Sequence, residues 1–261
     1  MNKLYKKNEV TFAIIMIVIY VIGTSVAESI SASIGVEKLV PAIFHVLFTA
    51  VIFGWIKRNG LMEKYGLVLP RYSLKYVWYY FPLILIACFG LFAGFEIQYS
   101  VVETILFVIS MLCVGFLEEI IFRGFLFVGM SKSNLKSAII VSSITFGIGH
   151  IVNLFNGQDM LNTVMQIVFA IAVGFALVVL FYKGKSLLPC IIFHGLNNAL
   201  SAIEKSNTEV AKMLSISEAR FEMVFVLLSI VILSIYIIFI LKKLNCSEEK
   251  YEDKGNSNST R

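Results

Sequence analysis

The stretch MLCVGFLEEIIFRGFLFVGM, residues 111–130, decides how this chain is read. Twenty residues in a helix rise ~30 Å, the thickness of a bilayer's hydrocarbon core. All but three of the side chains here suit that setting. Glu118, Glu119 and Arg123 do not. A single charge at mid-bilayer costs roughly 2.5–3.5 kcal/mol on insertion scales, so three within six residues mark a functional site by default.

The rest of the chain fits a membrane setting. Of 261 residues 58% are hydrophobic and only 15% charged, against about 25% charged in soluble domains. Mean hydropathy is +0.85. The net charge of +5 comes from basic residues scattered over short loops, with no stripe to bind nucleic acid. Cys88, Cys113, Cys190 and Cys246 have no CxxC or other ligand spacing, so neither a disulfide framework nor a cysteine metal site is read. The N-terminal run has a basic start (Lys3, Lys6, Lys7) and a small-x-small end (Ser25, Val26, Ala27). It is long enough to span, and further spans follow. It reads as an uncleaved first transmembrane helix rather than a signal peptide.

Working outward, eight apolar spans are expected, at 10–30, 39–56, 76–95, 104–128, 136–153, 161–182, 187–203 and 221–241. The fourth is long enough to tilt or to project from the membrane. With the N-terminus in the cytoplasm, 17 of the 22 basic residues fall in inside segments and four (Lys38, Lys205, Lys212, Arg220) in outside loops; Arg123 is the remainder. That asymmetry predicts both termini in the cytoplasm. The fold class is therefore an all-α polytopic membrane bundle of about eight transmembrane helices. Residues 1–99 hold helices 1–3, and 100–203 the charged core. The outer loop and last helix occupy 204–244. The polar tail 245–261 is expected to be disordered.

Three polar motifs sit in the core. The first is Glu118-Glu119-x-x-x-Arg123. On a helix Glu119 and Arg123 share a face and can pair, while Glu118 is rotated by about 100° and free to point elsewhere. Burial among apolar residues pushes a carboxyl group toward neutrality, which suits a general base. The plain alternative is an ion pair that ties helices together, although small residues do that more cheaply. The second motif is Phe146-x-x-x-His150, where Gly147 and Gly149 allow close helix approach. Alone, His150 reads equally as base, metal ligand or interhelical hydrogen-bonding residue. The third is His194-x-x-x-Asn198, whose i,i+4 spacing lets an imidazole and an amide enter one cavity and donate to a developing oxyanion. Asn197 points away and reads as packing. A carboxylate base, two histidines and an amide donor suit hydrolysis of a peptide bond by activated water.

Other intramembrane chemistries lack their residues. No histidine begins an HExxH. The only aspartates, Asp159 and Asp253, fall in a loop and in the tail, which leaves no membrane dyad. No GxSxG elbow is present.

Taken in order, EExxxR (Glu118, Glu119, Arg123), FxxxH (Phe146, His150) and HxxxN (His194, Asn198) resemble the CPBP family of CAAX prenyl proteases and bacteriocin-processing enzymes, also called the Abi family. The run GKSLLPCIIFHGLNN resembles that family's approach to its third motif, and the likeness covers about residues 100–203. The resemblance implies an intramembrane endopeptidase. Glu118 with His150 would activate water, His194 and Asn198 would stabilise the oxyanion, and Arg123 would hold the carboxylates. Family members are described both as metalloproteases and as metal-free glutamate enzymes. Glu118, His150 and His194 would make a three-ligand Zn2+ site with an open position, and the same residues would equally work without metal. The implied substrate is a peptide or membrane-protein segment, prenylated in the CAAX case or a leader in the bacteriocin case, met within membrane lipid. The lysine- and isoleucine-rich composition points to a bacterial plasma membrane, where self-immunity to a bacteriocin is a further role. Depth sets one tension. Glu118 and His194 fall at similar depth, whereas His150 lies roughly 21 Å along its helix and needs tilt or a shifted start to join them.

Two rival classes remain: a non-catalytic immunity or scaffold protein of the same fold, and a proton-coupled transporter using Glu118 and the histidines. The transporter predicts broken helices and an internal repeat, and the sequence has neither. Cys190, four before His194, reads as a packing residue rather than a nucleophile. His45 reads as a hydrogen-bonded helix contact or a further ligand. Gly174 and Gly90 mark close helix crossings.

Overall fold

The computed structural model describes residues 1–69, 80–88, 90–91 and 94–258, with the side chains of 243–258 outside the description. The helices in chain order are α1 Asn2–Lys7, α2 Glu9–Ile34, α3 Leu39–Arg58, α4 Phe81–Ala87 and α5 Val101–Glu118. A π-helical segment, Glu119–Phe127, continues α5 into α6 Val128–Ser131. Then come α7 Leu135–Gly149, α8 Val152–Phe155, α9 Met160–Gly184, α10 Leu188–Leu200, α11 Asn207–Met213 and α12 Glu218–Asn258.

Local chemistry accounts for the helix ends. Asn8 accepts the Thr11 N–H at 2.8 Å to start α2, and Gly35 closes it in the left-handed region at φ 77. Ser100 and Glu103 form a reciprocal capping box at the head of α5. Asn134 caps α7, and Asp159 caps α9 through the N–H groups of Leu161 and Asn162. Pro189 sits in the first turn of α10, where its missing N–H is not needed.

Six helical stretches among the described residues are long and apolar enough to cross a membrane: Glu9–Ile34, Leu39–Arg58, Val101–Ser131, Leu135–Phe155, Met160–Gly184 and Glu218–Lys242. This confirms an all-α membrane bundle and differs from the expected count of eight. Two of the expected spans are not among these six. Of 76–95, positions 76–79, 89, 92 and 93 lie outside the described residues, and the described helix has seven residues. Pro82 lies at its start, and the chain bends at Gly94, φ 112. The other short one, α10, has 13 residues, about 20 Å. The two short helices pack on each other, and α10 also lies along α5. The stretch expected as a disordered tail continues α12 as far as Asn258. Its sequence SEEKYEDK is rich in good helix formers.

The continuous stretch Val101–Ser131 is the centre of the bundle. Half of its apolar window is buried, against 22% for that of α12. At about 45 Å it exceeds the hydrocarbon thickness. Every residue of the π-helical segment is buried, and its aromatic rings Phe122, Phe125 and Phe127 pack into the core. Outward-facing positions of α2 and α12, such as Ile14, Ile22, Leu227 and Ile235, are exposed and apolar, as a lipid-facing surface requires.

Two close crossings set the site's frame. A Cβ built on Gly115 would lie 2.4 Å from the Gly195 backbone nitrogen and 2.5 Å from its Cα, so α5 and α10 touch backbone to backbone. Gly174 of α9 meets the backbone of Ser143 in α7, its virtual Cβ 3.1 Å from the carbonyl oxygen. Small residues let apolar helices approach this closely.

Candidate active site

The three polar motifs converge at the junction of α5 and its π-helical continuation. A π-helix is rare and recurs at functional sites. Here it begins at Glu119, so the wider turn starts between the two adjacent glutamates. Glu119 turns into the core and is fully buried, while Glu118 keeps 14% of its side chain exposed.

Glu119 is the hub. Its Oε1 lies 3.1 Å from an Arg123 terminal nitrogen and 2.8 Å from His194 Nδ1. Arg123 is fully buried, with its guanidinium carbon 4.0 Å from the centroid of the Phe146 ring. Among the described residues no acceptor makes a well-directed hydrogen bond to its three nitrogens. The charge is held by the Glu119 carboxylate and by the ring face. A carboxylate only accepts, so the contact with Glu119 puts a proton on His194 Nδ1. That leaves Nε2 pointing at Glu118 Oε2, 3.4 Å away.

His150 takes its place at the open C-terminal end of α7. Its Nδ1 lies 3.2 Å from the Phe146 carbonyl oxygen, one turn back. A carbonyl also only accepts, so Nδ1 carries the proton and a neutral His150 presents Nε2 as a lone pair. The Phe146 ring stands edge to face against both histidines, with centroids 5.3 Å from His150 and 5.7 Å from His194. Through this ring the second motif touches the other two, while the His150 side chain itself contacts Phe146, one turn back on its own helix. Asn198 lies one turn beyond His194, partly buried. Its Oδ1 faces the Asn197 amide at 3.5 Å, which aims its own amide N–H2 group elsewhere.

The structure thus joins Glu118, Glu119, Arg123 and His194 by direct contact and brings His150 in through Phe146. Among the described residues, the Asn198 side chain makes no hydrogen bond to Glu118 or His194. A three-ligand zinc site does not fit this arrangement. Among the described residues no three His, Cys, Asp or Glu side chains converge as metal ligands, and the Phe146 ring lies against both histidines.

Three features were hidden from the sequence. The hydroxyl of Tyr20 in α2 donates to Glu118 Oε1 at 2.7 Å; a lone tyrosine in an apolar span gave no signal. The π-helical turn was equally unmarked. The Gly115–Gly195 contact could have been found, since each glycine lies within three residues of a motif residue. Ser142 in α7 donates to the Phe122 carbonyl inside the π-helical segment at 2.8 Å, satisfying one of its backbone acceptors. His45 lies between Thr24 and Ser110 with both ring nitrogens engaged, and so is a helix contact. Cys190 directs its Sγ at the Leu177 carbonyl, 3.6 Å away.

Residues 100–200 match the Rce1-like family model, type II CAAX prenyl endopeptidase Rce1-like. This is the family that the three motifs resemble, and the matched segment carries all of them. No curated protein and no solved structure matches the chain. With six helices long and apolar enough to cross a membrane, three of them inside the matched segment, the chain is an integral, multi-pass membrane protein.

Proposed function

We propose that the core hydrolyses a peptide bond within the membrane, with Glu118 as the base. The observation that carries this reading is the His194 ring held between Glu118 and Glu119, with Glu118 the partly exposed carboxylate of the two. Glu118 Oε2 takes a proton from the attacking water, and His150 Nε2 accepts the water's second hydrogen bond. His194, whose ring bridges two carboxylates and so donates from both nitrogens, offers Nε2–H with the Asn198 amide to the carbonyl oxygen as negative charge develops there. Glu118 then returns its proton to the leaving amine. Glu119 and Arg123 do not touch substrate; they set the angle of His194. No step is routed through a metal.

The substrate of this reading is an extended peptide carrying a lipid or an apolar segment, since the surrounding helix faces are apolar. A prenylated CAAX tail and a hydrophobic leader or membrane-protein tail both satisfy that chemistry. The basic-loop asymmetry supports cytoplasmic termini, and the composition a bacterial plasma membrane, in which self-immunity to a bacteriocin is a further role.

The test is cleavage of a quenched farnesylated CAAX peptide and of an unprenylated apolar leader peptide by the purified full chain. Wild type, Glu118→Ala and His194→Ala are compared, with metal content and chelator sensitivity measured alongside. Loss of a general base costs about 10²–10⁴-fold. Cleavage by Glu118→Ala at the wild-type rate overturns the assignment. Stoichiometric metal with chelator-sensitive cleavage overturns the metal-free route.

A further inference from the structure

Tyr20 lies in the middle of α2, in a run of apolar residues where a phenol hydroxyl needs a partner. It is 6% exposed, and its hydroxyl donates to Glu118 Oε1 at 2.7 Å across 98 positions of sequence. The two oxygens of Glu118 therefore have different surroundings: Oε1 is taken by the phenol, and Oε2 faces His194. A carboxylate held by one oxygen cannot swing about its side-chain bonds, and the oxygen left over is aimed.

The rotation of α2 that makes this possible is itself fixed. One turn beyond Tyr20, Thr24 Oγ1 lies 3.0 Å from His45 Nε2 in α3, and His45 Nδ1 lies 2.8 Å from Ser110 Oγ in α5. His45 and Ser110 are 1% and 0% exposed. The Tyr20 and His45 rings pack at 5.9 Å. Polar contacts between apolar helices specify which faces meet. This chain ties α2, α3 and α5 together in the one orientation that delivers the phenol to Glu118.

We infer that Tyr20 is a positioning residue for Glu118: its hydroxyl holds one carboxylate oxygen so that the other is presented to the water. The inference rests on the reading of Glu118 as the base.

The test uses the full chain with Tyr20→Phe and Glu118→Gln. Tyr20→Phe removes one oxygen and keeps the ring, and thermal unfolding in detergent checks that the bundle survives. The carboxylate stretch that Glu118→Gln removes from the infrared spectrum identifies Glu118. In Tyr20→Phe that band is expected to shift in frequency, and kcat for the CAAX peptide to fall about tenfold or more with KM unchanged. A band unmoved in Tyr20→Phe overturns the inference whether or not any peptide is cleaved. An unchanged kcat, with Glu118→Gln inactive, overturns it alone. Cleavage by Glu118→Gln at the wild-type rate overturns the reading of the base and the inference with it. Should Tyr20→Phe not assemble, 3,5-difluorotyrosine incorporated throughout keeps the fold and strengthens the phenol as a donor. The Glu118 band must then shift; an unmoved band again overturns the inference.

Discussion

Gly115→Ala adds one methyl group where α5 and α10 meet. The new Cβ would lie 2.4 Å from the Gly195 nitrogen, 2.5 Å from its Cα and 3.2 Å from the Ile191 carbonyl oxygen. All three are backbone atoms, so no side chain can rotate away. Ordinary contact begins near 3.4 Å, and the two helices must part by about 1 Å. His194 precedes Gly195 and moves with it. Its 2.8 Å contact with Glu119 then lengthens beyond hydrogen-bonding range, and its 3.4 Å approach to Glu118 opens by a similar amount. Overpacking of this kind costs about 1–3 kcal/mol of stability. A displacement of 1 Å at a reacting group costs about 10²-fold in rate. Two measurements check this on the purified protein: thermal unfolding in detergent and kcat for the CAAX peptide. Gly54→Ala in α3, where a Cβ meets nothing within 4 Å, is the control: it leaves kcat unchanged and does not lower the unfolding temperature. A folded Gly115→Ala protein with wild-type kcat refutes the argument that this backbone contact sets the site's geometry.

Other expectations follow from single contacts. Arg123→Met strips the buried Glu119 of its counter-charge and destabilises the bundle by about 3–5 kcal/mol, read as a lower unfolding temperature; an unchanged temperature contradicts the pairing. Ser142→Ala removes the side-chain hydrogen bond to the Phe122 carbonyl and costs about 0.5–1.5 kcal/mol, measurable in the same scan. Ser215 has φ 56, so Ser215→Gly relieves left-handed strain and raises stability by roughly 0.5–1 kcal/mol. Glu204, in the loop after α10, has its pKa raised by burial. Its folded-state pKa lies above the unfolded one, so the folded state is favoured while the group is protonated and loses ground as pH rises through the folded value. Glu204→Gln is therefore expected to unfold at a higher temperature than wild type at neutral pH, with the gap closing toward pH 4; a gap independent of pH rejects that origin.

Much of this was legible in the chain because a bilayer imposes a severe rule. Charge is expelled from hydrocarbon, so Glu118, Glu119, Arg123, His150 and His194 stood out against their apolar neighbours, and the family likeness followed from their order. Helix length was less legible. The run 187–203 is apolar enough to span, yet Leu188–Leu200 stops at 13 residues. Burial against protein demands apolar residues just as lipid does, so hydropathy alone cannot separate a short helix packed inside a bundle from one that crosses.

The sequence by itself determined the class, the motifs and the pairing of Glu119 with Arg123, because helical spacing is a local property. Only the tertiary structure decided which histidine meets which carboxylate. His194 reaches both glutamates because Gly115 and Gly195 let two backbones touch, and because the chain widens into a π-helical turn at Glu119. Tyr20 reaches Glu118 from 98 residues away because Thr24, His45 and Ser110 fix how α2 faces α5. Contacts between helices depend on their relative rotation and separation, and those are set by side chains packing across the whole bundle rather than by spacing within one segment.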